Sequence, residues 1–325
     1  MPPDSFALVS ICIPAFNRPD LLAECVRAAL GQSYKNVEVL IGDDSRDDSS
    51  EGALRDAGLL ERVSYERNSP SLGQARNVNR LLERARGERV VLIHDDDWLL
   101  PDAVSDLDRA WQGADKTQVC FGLQAVADAK GQISHEATAK LNAEYGRIPA
   151  RFGVQREPRW SALMGQIPNN GWMIDTALAR SVGYSDAEEV SHACDFDFGL
   201  RLAQSSVQSG GDWVLCEQIM SVVRLSDNSI LRSAGPRTNY SDATWNLIAS
   251  YPLPPEGEAW RRDRLRRTAL GAMKKWLSQG QNWRAACVYF SSNFPPRRRF
   301  SKRGLMLGLM LFLPLVLNRS LIRRL

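Results

Sequence analysis

The 325-residue chain holds only three histidines, and its six cysteines (Cys12, Cys25, Cys120, Cys194, Cys216, Cys287) form no Cys-x-x-Cys pair. That pattern argues against a zinc ribbon or a disulfide framework and for reduced, mostly buried thiols in a cytosolic protein. No low-complexity tract and no internal repeat occurs, so a solenoid is not expected. The N-terminal Met-Pro-Pro-Asp-Ser-Phe-Ala lacks the basic and apolar regions of a secretory leader. The apolar run near the C-terminus, residues 305–317, is thirteen residues long and broken by Pro314, short of the roughly 20 residues that a spanning helix needs.

What is present is ordinary for a globular chain, with 44% hydrophobic and 24% charged residues. It suffices for one large α/β domain plus a smaller appendage. The net charge of +3 is unevenly spread. From Glu258 onward sixteen Lys/Arg face two acids, so this region carries +14 and the first 257 residues −11. A basic C-terminal region on an acidic body predicts contact with an anionic surface. Arg297, Arg298, Arg299, Lys302 and Arg303 precede the apolar run, and Arg319, Arg323 and Arg324 follow it. An interfacial or re-entrant element held by anionic lipid is therefore expected. The alternatives are a helix docking on the body or an oligomer contact. No recognised module accompanies the charge, so nucleic acid is not expected as a partner.

The first half alternates strand and helix signals. β-rich runs at 9–14, 37–41, 62–66, 90–93 and 118–127 are separated by segments of helical periodicity at 20–30, 50–57, 74–86 and 103–111. This rhythm predicts an α/β fold with a mostly parallel sheet covered on both faces. Residues 128–170 have weak periodicity and are expected to form loops and short helices. Strands are expected at 171–174 and 214–223, and helices at 176–181, 195–203, 238–249, 256–277 and 283–290. The expected organisation is a sheet domain over 1–230, a helical extension over 231–292 and a basic, apolar tail over 293–325.

Ligands of open α/β sheets sit beyond the carboxyl ends of the strands. Three of these ends carry polar clusters: Pro14-Ala15-Phe16-Asn17, Asp43-Asp44-Ser45 and His94-Asp95-Asp96-Asp97. In the last, adjacent carboxylates repel, and a hard divalent cation that shares them with a substrate phosphate would remove that cost. The competing reading is a solvated acidic turn ahead of the helix near Pro101. Alone, the triplet leaves the two readings even; three polar clusters on one rim favour a ligand.

A nucleoside-diphosphate ligand would find partners here. Asp44 suits the base and ribose, Phe16 offers an apolar face, and Asp96 suits a cation on the diphosphate. Arg76 lies at a predicted helix N-terminus, where anions are favoured. Asp195 suits a general base, a role that contributes about 10²–10⁴-fold. Each also has a plain structural reading: Asp44 a turn residue, Phe16 a core aromatic, Arg76 a surface ion pair, Asp195 an N-cap. Asp197 reads as secondary to Asp195.

Taken together, residues 9–18 (Val-Ser-Ile-Cys-Ile-Pro-Ala-Phe-Asn-Arg), residues 37–45 (Val-Glu-Val-Leu-Ile-Gly-Asp-Asp-Ser), Gly73-Gln74-Ala75-Arg76-Asn77 and His94-Asp95-Asp96-Asp97 resemble the family 2 glycosyltransferases of the GT-A fold. The resemblance covers about residues 8–110, and 160–232 more loosely. It implies inverting transfer of one sugar from a nucleoside-diphosphate sugar, UDP being the commonest carrier, with Mg²⁺ or Mn²⁺. Pro14, Phe16 and Asp44 fall on the nucleobase positions, and Asn17 and Arg76 join the donor-binding set. Asp95 and Asp96 fall on the ribose, metal and diphosphate region, with Asp96 and Asp97 as metal ligands. Asp195 falls on the aspartate presumed to be the base.

Two departures stand out. His94 occupies the first acidic position and reads either as a residue supporting the metal ligands or, the favoured reading, as a packed histidine, and Cys194 replaces the glutamate before the base. Arg224-Leu225-Ser226-Asp227-Asn228-Ser229 is similar to a segment that closes over the donor, with Ser226 where a histidine is often found. The Gln-x-x-Arg-Trp signature of processive synthases is missing. The resemblance and the basic tail together predict a glycan or lipid-linked saccharide acceptor, met by a cytoplasmic protein peripheral to the inner face of the membrane. A sugar-phosphate nucleotidyltransferase would want a Gly-rich loop that residues 14–18 lack, and a catalytically silent scaffold is the remaining alternative.

Overall fold

The computed structural model describes residues 7–191, 193–225 and 241–322. The chain forms two compact units, the first from Met1–Asp186 and Cys194–Ser226, the second from Ala187–Ala193 and Asp227–Leu325.

The first unit is built on nine strands: β1 (Val9–Ala15), β2 (Val37–Asp43), β3 (Ser64–Arg67), β4 (Arg89–Leu92), β5 (Trp98–Leu99), β6 (Thr117–Ala127), β7 (Gly153–Gln155), β8 (Trp172–Asp175) and β9 (Asp212–Arg224). Their order is β3-β2-β1-β4-β8-β6-β9-β5, with β7 also on β9. The helices between them are α1 (Pro19–Leu30), α2 (Ser49–Asp56), α3 (Gln74–Arg84), α4 (Ala103–Gln112), α5 (His135–Glu144), α6 (Pro158–Leu163), α7 (Thr176–Val182), the one-turn α8 (Ala187–Val190, in the second unit) and α9 (Cys194–Ser209).

Period-two alternation sorts the side chains of the parallel strands. Ile11 and Ile13 of β1 and Val39 and Ile41 of β2 join one core with Leu22 and Val26 of α1, Leu54 of α2 and Val104 and Leu107 of α4. The opposite side of β2 meets α3. A Cβ on Gly42 would fall 2.2 Å from Asn77 Oδ1 and 3.2 Å from Leu81 Cγ, so only glycine lets α3 approach this closely.

The β3-β2-β1-β4 half is parallel, as expected. Beyond that half the sheet is mixed. β8 runs antiparallel to both β4 and β6, and β5 and β7 run antiparallel to β9; only β6 and β9 add a parallel pair. An alternating pattern signals strands and the helices between them, but it carries no direction once a long excursion such as 128–170 intervenes. β5 and β7, of two and three residues, are too short to show a period.

The second unit is helical. Its helices are Ser241–Ser250, Glu258–Ser278, Asn282–Phe290, Pro296–Arg299, Lys302–Met310 and Leu315–Ile322. Leu265, Ala269, Met273, Trp276 and Leu277 form its buried stripe, and Trp245 meets Trp276 edge to face at 6.0 Å. The C-terminal helices dock on this unit. Leu307 and Met310 are fully buried. Where Pro314 breaks the run, Asn282 Nδ2 donates to the freed carbonyls of Leu311 (3.0 Å) and Leu313 (3.1 Å). The helices described between residues 241 and 322 thus share one compact unit. No helix among the described residues is long and apolar enough to cross a membrane.

Candidate active site

β2, β1 and β4 lie side by side, with Ala15 opposite Asp43 and Cys12 opposite Leu92. The polar segments that follow them therefore meet on one rim, and hydrogen bonds join them. The Asp44 N–H donates to the Ala15 carbonyl (2.9 Å). The Asn17 N–H donates to Ser45 Oγ (2.8 Å), while Asn17 Oδ1 accepts from the Arg46 N–H (3.1 Å). Asn17 has φ 54°, a left-handed conformation that Asn adopts more readily than most residues. The turn leaves Phe16 46% exposed, an aromatic face available to a ligand rather than a core aromatic. Pro14 is half-buried just before it.

Asp44 is buried and fully engaged. It accepts from Asn68 Nδ2 (2.8 Å) and from the backbone N–H groups of Leu72 (3.1 Å) and Gly73 (2.7 Å). Its carboxylate therefore fastens the segment leading into α3. Arg76, in the first turn of α3, directs its guanidinium at Asp186, with Nε at 2.9 Å and Nη2 at 2.8 Å from the same oxygen. The pair is well exposed, so Arg76 makes the surface ion pair that was its plain structural reading.

The acidic triplet divides by role. Asp95 accepts from the Phe16 N–H (2.8 Å) and from Arg18 Nη1 (2.8 Å). Asp97 accepts from Asn170 Nδ2 (2.6 Å) and from the Arg224 N–H (2.8 Å). Both are buried, whereas the Asp96 side chain keeps 14% exposure and meets Arg18 Nη1 at 3.3 Å. Burial pushes the Asp95 carboxyl up to about 6, against the pull of Arg18. Burial and then the neighbouring Asp96 push Asp97 up to about 7.

His94, expected as a packed side chain, joins this group. Its Nδ1 lies 3.4 Å from Asn169 Nδ2, while its Nε2 is buried without a hydrogen-bond partner among the described residues. One ligand atom from each of His94, Asp96 and Asp97 lies within 4.8 Å of the others. A buried imidazole nitrogen without a partner is costly, and one nitrogen of this ring together with the two carboxylates makes a donor set that fits a divalent cation. Mixed nitrogen and oxygen donors favour a first-row transition ion such as Mn²⁺ over Mg²⁺, which prefers oxygen alone.

Asp195 lies in the first turn of α9 and keeps partial exposure, with Oδ1 sealed and unpartnered. Burial raises its carboxyl above the ordinary range; the nearby His94 imidazole and a hydrogen bond from the Tyr184 hydroxyl pull it back. Tyr184 is held by stacking on Phe198 at 4.4 Å. Asp195 thus lies within electrostatic reach of the His94 that groups with Asp96 and Asp97. Asp197 accepts from Arg201 Nε (2.8 Å) and Ser185 Oγ (2.7 Å), while Arg201 donates to the Gly183 carbonyl (2.7 Å). It anchors α9 to the preceding segment. Cys194 is a buried free thiol.

Arg224 ends β9 under the triplet. Its guanidinium lies 4.8 Å from the Trp98 ring centroid and donates to the Asp96 carbonyl (3.2 Å) and to Glu24 (2.5 Å). The donor-closing reading of residues 226–229 lies outside the described residues. Sequence reasoning missed Arg18, Asn170 and Tyr184. Arg18 adjoins Asn17 in the first rim cluster, so its position was a signal; Asn170 and Tyr184 carried none.

Comparison with known proteins adds to this geometry. The profile described as Glycosyl transferase family 2 matches residues 10–173, half of the chain. The GalNAc(5)-diNAcBac-PP-undecaprenol beta-1,3-glucosyltransferase of Campylobacter jejuni is 28% identical over 134 residues, 41% of this chain and 42% of that protein. The crystal structure of S. aureus TarS 1–349 in complex with UDP-GlcNAc aligns with a TM-score of 0.61 at 14% identity, over 97% of this chain and 90% of that one. The mannosyltransferase PcManGT of Pyrobaculum calidifontis, in complex with GDP-Man and Mn²⁺, aligns with a TM-score of 0.56 at 12% identity, over 96% of this chain and 86% of that one. These likenesses establish the GT-A fold. The chain spans less than half the length of the curated relatives it matches.

Proposed function

Since the chain belongs to glycosyl transferase family 2, we propose that it moves one sugar, with inversion, from a nucleoside-diphosphate sugar to a hydroxyl of a glycan or lipid-linked saccharide. The observation that carries this reading is convergence. Phe16 with Arg18, the Asp44-braced segment, His94 with Asp96, and Asp195 come from four separate stretches of chain, and they gather at the carboxyl ends of β1, β2 and β4. The exposed face of Phe16 stacks on the nucleobase, a contact that any base can make. Pro14 and Asn17 shape that turn. Arg18 brings positive charge to the diphosphate beside Asp96. When bound, a divalent cation held by His94, Asp96 and Asp97 supplies charge neutralisation to the departing diphosphate.

Asp195 takes the proton of the acceptor hydroxyl as its oxygen bonds to the anomeric carbon and the bond to the diphosphate breaks. A carboxyl whose proton affinity is raised by burial is a better base than one in water. A single displacement of this kind inverts the anomeric centre. UDP as the carrier is supported by the UDP-GlcNAc complex of TarS, and a lipid-linked acceptor by the name of the Campylobacter relative. Asp195→Asn tests the assignment. Transfer should fall by about 10²–10⁴-fold while donor binding, read by calorimetry with Mn²⁺, changes little. A fully active variant would remove Asp195 from the role, and no Mn²⁺-dependent binding of any nucleoside diphosphate would point to a silent scaffold.

A further inference from the structure

Residues 264–325 contain fourteen Lys/Arg and no Asp or Glu. A surface this one-sided attracts anions and repels its own copy. Lys274 already feels the crowding: burial, and then Arg303, lower its ammonium below the usual range.

Within this stretch the helix Lys302–Met310 is apolar on two sides. Gly304, Leu307 and Met310 turn inward and are buried. Leu305 and Leu309, at i and i+4, share one face of the helix, and Phe312 follows in the turn just past its end; the three are 51%, 69% and 83% exposed. Val316 and Leu317, on the helix Leu315–Ile322, are exposed as well. A helix on a water-facing surface ordinarily carries polar residues outward; here the outer stripe is leucine and phenylalanine. Lys302 opens the same stripe, three residues before Leu305, and Arg297, Lys302, Arg303 and Arg319 are exposed around it. The helix Asn282–Phe290 exposes a further pair at i and i+7, Trp283 and Phe290.

We propose that this face is a preformed docking surface for an anionic lipid bilayer. The outer stripe of Leu305, Leu309 and Phe312 enters the headgroup boundary, and the surrounding Arg and Lys side chains engage lipid phosphates. The inward stripe stays packed on its own unit, so the tail seats as part of a folded body and does not thread into the bilayer. A second copy of the chain would bring like charge against like, which disfavours it as the occupant. This inference rests on the proposed function only for the reason the chain would visit lipid, namely a lipid-linked acceptor.

Flotation of the full chain with vesicles tests it. Vesicles of phosphatidylcholine with about one-third phosphatidylglycerol should bind at least about tenfold more tightly than phosphatidylcholine alone, with the preference fading as salt rises. The double variant Leu309→Glu/Phe312→Glu should lose about tenfold or more of that binding. Its circular dichroism and Tm should match the parent, because both side chains are exposed. Equal binding to neutral vesicles, or undiminished binding by a folded double variant, would overturn the proposal. Self-association abolished by the double variant, without vesicle binding in the parent, would overturn it and assign the face to a second copy. Donor binding should be unaffected by the double variant, and vesicle binding by Asp195→Asn, so failure of one reading is distinguishable from failure of the other.

Discussion

Asp97→Asn isolates the cost of the acidic turn. The parent carboxyl is buried, and its folded pKa stands at about 7 against an ordinary 3.8. Below about pH 4 it is protonated in both the folded and the unfolded chain, so burial of charge costs nothing. As pH rises from 4 to 7 the unfolded chain ionises first, and stability is lost until the folded carboxyl also ionises. The full loss is on the order of 4 kcal/mol. Asparagine is neutral throughout and escapes it. The Arg224 N–H still finds an amide oxygen, but the Asn170 amide loses its acceptor, a cost of about 1 kcal/mol.

The variant should therefore be about 1 kcal/mol less stable than the parent at pH 4 and about 3 kcal/mol more stable at pH 8, with the curves crossing between. At pH 8 that difference corresponds to roughly 6–12 °C in Tm. Urea and thermal unfolding in EDTA across pH 4–8 measure it. Added Mn²⁺ should then raise the Tm of the parent more than that of the variant, because the parent offers the cation two carboxylates, Asp96 and Asp97, and the variant only Asp96. Parallel curves for the two proteins across the pH range, or a variant less stable at every pH, would refute the reasoning.

Phe16→Ala should weaken nucleotide binding by about 1–3 kcal/mol, the usual cost of losing one stacking ring, with little change in stability because the ring is exposed. Gly42→Ala should destabilise the first unit by about 1–3 kcal/mol, since its Cβ would fall on the Asn77 oxygen that holds Asn68 beneath Asp44; urea unfolding reads this, and unchanged stability would show that α3 can yield. The transfer rate should fall as pH drops through the raised pKa of Asp195, because a base acts only when ionised, and Asp195→Asn should lack that acid limb in whatever residual rate remains.

The parallel half of the first unit was legible because each of its strands is an apolar run ending in polar residues, and each helix keeps one apolar stripe. The convergence of three rim clusters followed from that half alone. Strand direction beyond β4 was not legible, because it depends on how far the chain travels before it returns. The division of labour within the triplet was equally hidden. Arg18 lies 77 residues from Asp95, Asn170 lies 73 from Asp97, and Arg224 lies 127 from Asp97, and no local pattern records such partners.

That division changes what the acidic cluster means. In sequence the three adjacent carboxylates alone left a cation site and a solvated turn even. In the folded chain Asp95 and Asp97 tie together the turn after β1, the segment before β8 and the end of β9, each accepting two hydrogen bonds. Hydrogen bonds of this kind hold a carboxylate in place without any metal. The cluster by itself is therefore weak grounds for a cation. The stronger grounds lie one residue earlier, in a sealed His94 Nε2 that has no hydrogen-bond partner among the described residues, on a ring grouped with Asp96, the most open carboxylate of the three. The departure from an all-acidic motif adds a nitrogen donor to the oxygens of Asp96 and Asp97, and such a mixed set is of the kind that suits a first-row transition ion better than Mg²⁺.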